Sequence, residues 1–294
     1  MALWGMFMRI LILGASGMIG SALYKRLSAV SNLEVYGGIR NLNIRKYFSG
    51  PLQGGLVSCC DLSLNESIHS ILKKVNPEVV INCAGLTKHK KEANNPEIAM
   101  PINASMPHQI ASACDDRGIR FIHISSDCVF SGAKGGYVED DLPDALDLYG
   151  RSKALGEVIH GNTITLRTST IGHELHTNYG LLEWFLSQDK DCQGFSKAIF
   201  SGLPSVVFAE VIKDFILPNR DLRGLYHISA DPINKYELLE LIAKIYDKKI
   251  EINKDREFII NRSLNYQKFK VATGYTPTSW PQLIESMYTN KSRY

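Results

Sequence analysis

Short apolar runs alternate with helical patterns along the first 172 residues. The runs predict six strands, at 8–14, 33–40, 55–62, 77–85, 119–127 and 163–172. Between them, helical spacing predicts helices at 17–30, from the third strand to about residue 74, at 98–118 and at 149–161. Pro101 and Pro107 argue against regular helix at the beginning of 98–118. Such alternation indicates an α/β fold with a doubly wound parallel sheet, covered on both faces.

Beyond about residue 172 this alternation weakens. Two amphipathic helices are predicted, in NYGLLEWFLSQ (178–188) and KYELLELIAKIYDKK (235–249), together with short strands at 224–229 and 249–252. We therefore divide the chain into a main domain, residues 1–172, and a smaller portion, residues 173–294. Some segments of the smaller portion are expected to return to the main domain.

Composition excludes several classes of protein. Of the 294 residues, 45% are hydrophobic and 21% are charged, and the formal net charge is only +3. So small a charge gives no basis for binding nucleic acid or a membrane surface. No run of 18 or more apolar residues occurs, so no membrane span is expected.

Cysteine and histidine spacing gives no sign of a metal site. The six cysteines contain no CxxC pair, and the eight histidines contain no HxxxH or HExxH motif. We therefore expect no catalytic metal and no disulfide framework. Reduced thiols indicate a cytoplasmic protein. The oligomeric state stays open, with a homodimer as one option.

The segment LILGASGMIG places Gly14, Gly17 and Gly20 between the first strand and the first helix. In a dinucleotide-binding loop the first glycine permits a tight turn. The second admits the backbone near a pyrophosphate, and the third lets the helix pack closely on the strand. The free N–H groups of the helix then face the phosphates. We therefore predict that residues 1–172 bind a dinucleotide.

The end of the second strand bears on the choice between NADPH and NADH. Enzymes that select NAD usually carry Asp or Glu there, and residues 35–45 contain neither. Arg40 is present instead and can pair with a 2′-phosphate. We therefore predict NADPH, with NADH as the alternative. Asp61 and Leu62 follow the third strand. In a fold of this kind that position lies beside the adenine of the cofactor.

Ligands bind beyond the carboxyl ends of parallel strands, where HISSDCVFSG emerges from the fifth strand. This segment carries Ser125, Ser126 and Asp127, and Tyr149 and Lys153 follow on one face of the next helix. A phenol can donate a proton to the oxygen of a carbonyl under reduction. A nearby ammonium lowers the pKa of that phenol, and a hydroxyl can hold the carbonyl oxygen. The set therefore suits carbonyl reduction.

Five segments together resemble a known family: GASGMIG, INCAG, ISSDCVFSG, YGRSKALGE and LRTSTIG. They are typical of the extended short-chain dehydrogenase/reductases. The segments at 125–132, 149–157 and 166–169 are similar to those of the dTDP-4-dehydrorhamnose reductase branch, and the resemblance covers nearly the whole chain. It implies a Rossmann-type fold with a smaller C-terminal substrate-binding portion. It also implies an NAD(P)-dependent oxidoreductase that reduces the 4-keto group of a nucleotide-activated 6-deoxy sugar for surface polysaccharide synthesis.

The resemblance also assigns roles to residues. It implies that Tyr149 donates the proton, that Lys153 lowers the pKa of Tyr149 and holds the nicotinamide ribose, and that Ser126 orients the keto oxygen. With the positions argued above, the predicted cofactor-binding residues are Gly14, Ser16, Gly17, Met18, Ile19, Arg40, Asp61, Leu62, Cys83, Ala84, Gly85, Thr87, Asn103, Tyr149 and Lys153. The predicted substrate-binding residues are Thr87, Lys88, Asp127, Cys128, Phe130, Arg167 and Gly202.

Two departures from the family pattern leave the sugar open. Family members often carry Tyr where this chain has Cys128, a position that faces the sugar. The segment KHKKE is also unusually basic, and its cations can attract a diphosphate: Lys88, His89, Lys90 and Lys91. A UDP-linked 4-keto-6-deoxy amino sugar is therefore as reasonable a substrate as dTDP-4-dehydrorhamnose.

Two other functions stay open. An NAD-dependent sugar-nucleotide epimerase or dehydratase uses a similar scaffold, although Asp127 without a neighbouring Glu disfavours a dehydratase. A non-catalytic regulatory subunit would keep the fold and lose the chemistry. The intact set of Ser126, Tyr149 and Lys153 argues against that second alternative.

Overall fold

The structure, a computed structural model, describes residues 7–59, 61–88 and 90–291. The strands are β1 (Met8–Leu13), β2 (Leu33–Ile39), β3 (Leu56–Ser58), β4 (Val79–Asn82), β5 (Arg120–Ile124), β6 (Thr163–Thr168), β7 (Thr170–Ile171), β8 (Asp191–Phe200), β9 (Leu203–Pro204), β10 (Gly224–Ile228), β11 (Ile233–Asn234) and β12 (Glu251–Asn261). The helices are α1 (Met18–Leu27), α2 (Gly50–Gly54), α3 (Asn65–Val75), α4 (Pro96–Ala99), α5 (Met106–Asp115), α6 (Leu148–Leu155), α7 (Leu181–Leu186), α8 (Ser205–Val211), α9 (Lys235–Ile245), α10 (Gln267–Thr273) and α11 (Trp280–Thr289). No helix within the described ranges is both long and apolar enough to cross a membrane.

Seven strands form one parallel sheet, in the order β3-β2-β1-β4-β5-β6-β10. Alternate residues of β1 face opposite sides of it. Ile10 and Ile12 belong to one apolar core, and Leu11 and Leu13 belong to the other. Because both faces of the sheet are covered, this strand is apolar at successive positions rather than at alternate ones. The predicted α/β fold with a doubly wound parallel sheet is confirmed.

The strand order reverses between β1 and β4. From β1 the chain passes through α1 to β2 on one side, whereas β4 lies on the other side of β1. The loops that follow Leu13 and Asn82 therefore separate and leave a crevice at the carboxyl edge of the sheet. The topology alone thus puts a ligand crevice beside the glycine loop.

A second sheet of three strands lies in the C-terminal part. Its central strand β8 pairs with β11 in antiparallel and with β12 in parallel orientation. A separate apolar core, which includes Phe185, Leu238 and Ile284, joins α7, α9 and α11 to this sheet. The predicted strand at 249–252 is too short, since β12 continues along β8 as far as Asn261. Local sequence does not reveal this length because pairing with a distant strand stabilises it.

Two C-terminal segments belong to the main body. The predicted strand at 224–229 is β10, which pairs with β6 at the edge of the main sheet. α8 packs against α1, where Phe208 and Ala209 share a core with Ala22 and Leu23. Since the chain crosses between the two parts more than once, the division at residue 172 stays a prediction.

The helix predicted at 98–118 accommodates its prolines. α4 and α5 are joined by a π-helical turn, Met100–Ser105, into a continuous helical stretch from residue 96 to residue 115. Pro101 lies at the beginning of the π turn and Pro107 in the first turn of α5. A π turn already interrupts the regular hydrogen-bond ladder, so the missing proline N–H is tolerated there. The early part is therefore helical, which the sequence argued against.

The helix predicted at 149–161 ends sooner, at Leu155. Gly156 is buried against the π turn, and a Cβ at this position would lie 1.9 Å from the Asn103 carbonyl oxygen. The backbone of residue 156 therefore touches the neighbouring helix directly. This contact fixes the distance between α6 and the π turn.

Replacing Gly156 by Ala tests that contact. The added methyl group cannot fit without moving backbone, so we expect the free energy of unfolding to fall by about 1–3 kcal/mol. The control is Gly50→Ala, because nothing lies within 4 Å of a Cβ at that helical position. Its effect should stay within about 0.5 kcal/mol. Chemical denaturation measures both values, and equal stability of the two variants would contradict the close packing of α6.

Candidate active site

The loop between β1 and α1 has a geometry suited to a phosphate group. Gly14 has a φ of +77°, and a Cβ there would lie 2.7 Å from the Ala84 amide nitrogen, so only glycine fits. A Cβ on Gly20 would lie 2.2 Å from the Gly14 carbonyl oxygen. Gly17 is exposed and precedes α1 without any side-chain cap. The N–H groups in the first turn of α1 are therefore available to a pyrophosphate.

The other predicted residues of this loop lie on its rim. Ser16, Met18 and Ile19 are each half-buried. The side chain of Ile19 packs against the core. Any contact between Ile19 and a cofactor would therefore be made by its backbone.

At the far end of the crevice, Arg40 is exposed just after β2. Asp61 accepts hydrogen bonds from the Ser63 hydroxyl (2.7 Å) and the Ser63 N–H (2.9 Å). These hydrogen bonds, together with the charge of Arg40, hold the pKa of Asp61 below its usual value. Leu62 is only 6% exposed and packs in the core with Ile68. A cofactor contact by Leu62 stays a prediction.

The loop after β4 is held by a buried amide. Asn82 accepts a hydrogen bond from the Ala84 N–H at 3.0 Å, and its Nδ2 lies 3.2 Å from Nδ1 of His123. Burial holds the pKa of His123 well below its usual value, so the ring is neutral and can accept this hydrogen bond. Burial also raises the pKa of the adjacent Cys83 thiol to about 12. The result is a rigid, uncharged wall at Ala84 and Gly85.

Asn103, predicted to bind the cofactor, instead joins two parts of the site. Its Oδ1 accepts from the Leu86 N–H at 2.8 Å, and its Nδ2 donates to the Leu86 carbonyl at 3.1 Å. The same Nδ2 donates to the Ser152 hydroxyl at 3.2 Å. With only 1% of its surface exposed, Asn103 has a positioning role between the β4 loop and α6. Thr87, the next residue of that loop, is exposed.

Close packing brings Tyr149 to Ser126. A Cβ on Gly150 would lie 2.2 Å from the Cys128 carbonyl oxygen, so α6 rests directly on the loop after β5. Asp147 caps α6 by accepting from the Gly150 N–H at 2.7 Å, which puts Tyr149 in the first helical turn. A hydrogen bond from Ser126 favours the ionised form of Tyr149. The two hydroxyl groups can therefore share one carbonyl oxygen.

Lys153 is buried directly behind them. Its ammonium donates to the Ile124 carbonyl at 2.9 Å. Burial lowers the pKa of Lys153 to about 8, while Glu157 and Cys83 oppose that decrease. Burial also raises the pKa of Tyr149 above its usual value. The predicted lowering of the Tyr149 pKa by Lys153 is therefore not found in the protein alone, because desolvation of the phenol dominates.

A buried carboxylate connects α6 to two strands. Glu157 accepts from Nε of Arg167 at 2.8 Å and from its Nη2 at 2.7 Å. It also accepts from the Ser125 hydroxyl at 2.7 Å. The Arg167 and Glu157 side chains are only 3% and 7% exposed. Ser125, which follows β5, and Arg167, which lies in β6, are thus tied to Glu157, two residues after the helix that carries Tyr149.

Two predicted substrate residues belong to this buried layer. Phe130 is fully buried and stacks on Tyr137 with 4.0 Å between ring centroids. The Arg167 guanidinium lies 4.9 Å from the Phe130 ring centroid, and its Nη1 is 3.4 Å from Nε2 of His227. Burial, aided by Arg167, lowers the pKa of His227 to about 3, so its ring is neutral. Both side chains are therefore almost fully buried, and their binding of substrate stays a prediction.

Gly202 is also structural. A Cβ there would lie 2.2 Å from the Ser169 carbonyl oxygen, and the residue is buried. This glycine lets the chain before β9 pass directly over the segment after β6. Its contact with substrate stays a prediction.

The remaining predicted substrate residues do lie near the carboxyl edge. Lys88 is exposed, Asp127 is half-buried and Cys128 is 6% exposed. His89 lies outside the described residues. The sequence missed Lys235, which interacts electrostatically with Asp127 and Cys128, and Arg262, whose Nη1 lies 3.6 Å from the Cys128 sulfur. No local motif marks them, because the second sheet delivers them from distant parts of the chain.

Substituting Glu157 by Gln tests the buried connection. The change keeps the shape of the side chain but leaves the Arg167 guanidinium buried without its counter-charge, so the free energy of unfolding should fall by about 3–5 kcal/mol. Glu34→Gln is the matched control: Arg9 lies 2.8 Å from Glu34, but 36% and 41% of the two side chains are exposed. That control should lose less than about 1 kcal/mol. Equal losses in chemical denaturation would rule out a special role for Glu157.

Comparison with known proteins agrees with this geometry. Residues 8–291 match the family model described as RmlD substrate binding domain. The dTDP-4-dehydrorhamnose reductase of Aggregatibacter actinomycetemcomitans is 25% identical, over 95% of this chain and 98% of that protein. Methionine adenosyltransferase 2 subunit beta of Rattus norvegicus is 33% identical, but only over 51% of this chain and 41% of that protein.

A solved structure shows the same fold. The dTDP-4-dehydrorhamnose reductase of Bacillus anthracis, in complex with NADP, has a TM-score of 0.81 at 20% identity, over 97% of this chain and 100% of that one. The predicted family resemblance is confirmed, as is the class of NAD(P)-dependent oxidoreductase. With nearly all of its length matched, this chain belongs to the RmlD substrate-binding domain family of extended short-chain dehydrogenase/reductases.

Proposed function

We propose that this protein uses NADPH to reduce the 4-keto group of a nucleotide-activated 6-deoxy sugar. The observation that carries the proposal is the packing of α6 on the loops after β4 and β5. That packing puts Ser126, Tyr149 and Lys153 at the carboxyl edge of the sheet, beside the glycine loop. The open space at Gly17 and the uncapped α1 N-terminus fit a pyrophosphate. A nicotinamide dinucleotide bound there supplies a hydride to the carbonyl carbon.

Tyr149 donates its proton to the carbonyl oxygen as negative charge develops on that oxygen. Its raised pKa keeps the phenol protonated at neutral pH, so a proton is available for transfer. The Ser126 hydroxyl donates a hydrogen bond to the same oxygen and holds it in line. The ammonium of Lys153 lies behind them and favours the phenolate that remains after transfer.

The choice of cofactor rests on the end of β2. Arg40 is exposed there, where a ribose 2′-phosphate would lie, and no Asp or Glu occupies residues 35–45 to receive the ribose hydroxyls. This arrangement supports NADPH over NADH. Because the relative that matches over nearly its whole length is a dTDP-4-dehydrorhamnose reductase, we propose a dTDP- or UDP-linked 4-keto-6-deoxy sugar and a role in polysaccharide precursor synthesis.

We further propose that the two parts of the chain bind different ligands. Residues 1–172 bind the cofactor, since the glycine loop, the β4 loop and Tyr149 all lie there. Residues 173–294 supply much of the substrate-binding wall, together with segments that return to the main sheet. Reduced cysteines support a cytoplasmic protein.

One observation favours a second function. A protein named as a subunit, methionine adenosyltransferase 2 subunit beta, matches 51% of this chain. A non-catalytic subunit with this fold would bind NADPH and reduce nothing. An epimerase, in contrast, would keep its cofactor tightly bound through purification, which absorbance of the pure protein reveals.

Turnover with a panel of dTDP- and UDP-linked 4-keto-6-deoxy sugars tests the reductase. We expect NADPH consumption with at least one of them, faster than with NADH. Tyr149→Phe should lower kcat by about a hundredfold to ten-thousandfold because it removes the proton donor. Tyr179→Phe, at a tyrosine that is 54% exposed, is the control and should keep full activity. Tight NADPH binding with no turnover of any sugar would contradict the reductase and favour a non-catalytic subunit.

The pKa of Lys153 predicts how cofactor binding depends on pH. As the pH rises through about 8, this ammonium loses its proton and with it the charge that favours binding of the cofactor. The affinity for NADPH should therefore fall above that pH. Lys153→Met should remove this pH dependence. Lys25→Met is the matched control, because burial also lowers the pKa of Lys25 to about 8 outside the site. A dependence that survives in Lys153→Met would contradict the prediction.

A further inference from the structure

A short segment of the C-terminal part reaches back to the main sheet on its β2 side. We call this segment, residues 173–180 between β7 and α7, the strap. Its His176 ring stacks on the Tyr47 ring, with 5.4 Å between the ring centroids and an angle of 20° between the planes. Tyr47 ends the 3₁₀ helix that follows β2, whereas the strap follows β6 and β7. Since β1, β4 and β5 lie between β2 and β6, this contact joins distant parts of the sheet edge.

The path of the strap follows from the packing of α8 on α1. Arg26 and Glu210 form an ion pair near the ends of these two helices. Ala22 and Val206 line one small cavity nearer to their beginnings. The two helices therefore run in the same direction. Because α1 follows β1, its beginning lies at the carboxyl edge of the sheet, and the beginning of α8 lies towards the same edge.

The strap starts at α8 and ends its course at the segment after β2. A Cβ on Gly172, just before the strap, would lie 2.3 Å from Oγ of Ser205, the first residue of α8. Another face of α1 packs against the segment after β2, where the rings of Tyr24 and Phe48 lie 5.6 Å apart, edge to face. Tyr47 precedes Phe48 in that segment. The strap therefore crosses the end of α1 that begins at the glycine loop.

Hydrogen bonds hold the strap firmly on the C-terminal part. Nδ1 of His173 lies 2.7 Å from a carboxylate oxygen of Glu183 on α7, and its Nε2 lies 3.0 Å from the Tyr246 hydroxyl at the end of α9. Within the strap, Glu174 accepts from the Thr177 hydroxyl at 2.6 Å and from the N–H of residue 180 at 3.0 Å. The strap is thus expected to move as one piece.

The contact at its tip is exposed by comparison. Tyr47 is 40% exposed, and His176 is exposed as well. The Tyr47 ring is also contacted from its own segment, since Nζ of Lys46 lies 5.1 Å from the ring centroid. A stacked pair of rings contributes little free energy, so such a contact can open and close while the rest of the strap stays intact.

We propose that Tyr47 and His176 are positioning residues for the cofactor and together form a latch, which holds the strap against the end of α1. This proposal rests on the proposed function, since it supposes a nicotinamide dinucleotide at the glycine loop. The free N–H groups at the beginning of α1 would hold the pyrophosphate, and the strap would cover it from outside. Separation of the two rings would let the strap move away. The latch would therefore limit the rate at which the dinucleotide leaves.

Release of NADPH tests the latch. NADPH bound to the protein is displaced by excess NADP+ in a stopped-flow instrument, and the loss of its fluorescence gives the dissociation rate constant. We expect Tyr47→Ala and His176→Ala each to raise that rate constant about two- to tenfold, the factor that one stacked ring pair contributes. Tyr47→Phe keeps the ring and should release NADPH as the wild type does. His160→Ala, at an exposed histidine beyond α6, is the matched control and should also do so.

The double variant Tyr47→Ala/His176→Ala distinguishes a latch from two separate effects. Either single change already parts the rings, so the double variant should release NADPH no faster than the single ones. Multiplied effects would overturn the latch, and so would single variants that release NADPH at the rate of His160→Ala. If the wild type reduces a 4-keto sugar in that case, the proposed function stands without the latch. Faster release in both single variants, with no sugar reduced, would keep the latch and overturn the reductase.

Discussion

The buried carboxylate of Glu157 is the contact on which the candidate active site depends. It joins the end of α6 to the residue after β5 through the Ser125 hydroxyl, and to β6 through the Arg167 guanidinium. Its charge also raises the pKa of Lys153 against the effect of burial. A buried ion pair stabilises a fold only where hydrogen bonds satisfy both partners, and here Arg167 is further covered by Phe130. One side chain therefore positions the catalytic helix and supports its charge.

Close backbone contacts complete that positioning. Gly150 rests on the loop after β5, and Gly156 rests on the π turn that carries Asn103. Neither contact leaves room for a Cβ, so α6 cannot slide along the sheet without losing one of them. Asn103 then bonds both Leu86 and Ser152. The catalytic helix and the cofactor loop are thereby held in one rigid arrangement, which is what proton transfer to a bound carbonyl requires.

The loop after β5 also connects two distant parts of the chain. The Cys128 N–H donates to the Ser126 hydroxyl at 3.1 Å, and Nη1 of Arg262 lies 3.6 Å from the Cys128 sulfur. Arg262 follows β12 in the second sheet. The C-terminal part of the chain therefore reaches the loop that carries Ser126.

Local patterns in the sequence predicted the main sheet, the glycine loop and the edge of the sheet where the candidate site lies. Continuous apolar runs predicted a doubly covered parallel sheet, because a strand buried on both faces has no polar side to display. The spacing of Gly14, Gly17 and Gly20 predicted a phosphate loop. A Cβ on Gly14 or Gly20 would lie within 3 Å of backbone atoms. The order of Ser126, Tyr149 and Lys153 likewise placed all three at one edge of the sheet, because parallel strands bring their carboxyl ends together.

Other features depend on contacts between distant residues, and only the tertiary structure decided them. Phe130 and Arg167 were predicted to bind substrate, and contacts with Tyr137 and His227 bury both side chains. Burial raises the pKa of Tyr149, which is the reverse of the expected direction. Lys235 and Arg262 reach the site only because β11 and β12 both pair with β8. Sequence determined which chemical groups follow each strand, whereas burial and long-range pairing decided which of them face a ligand.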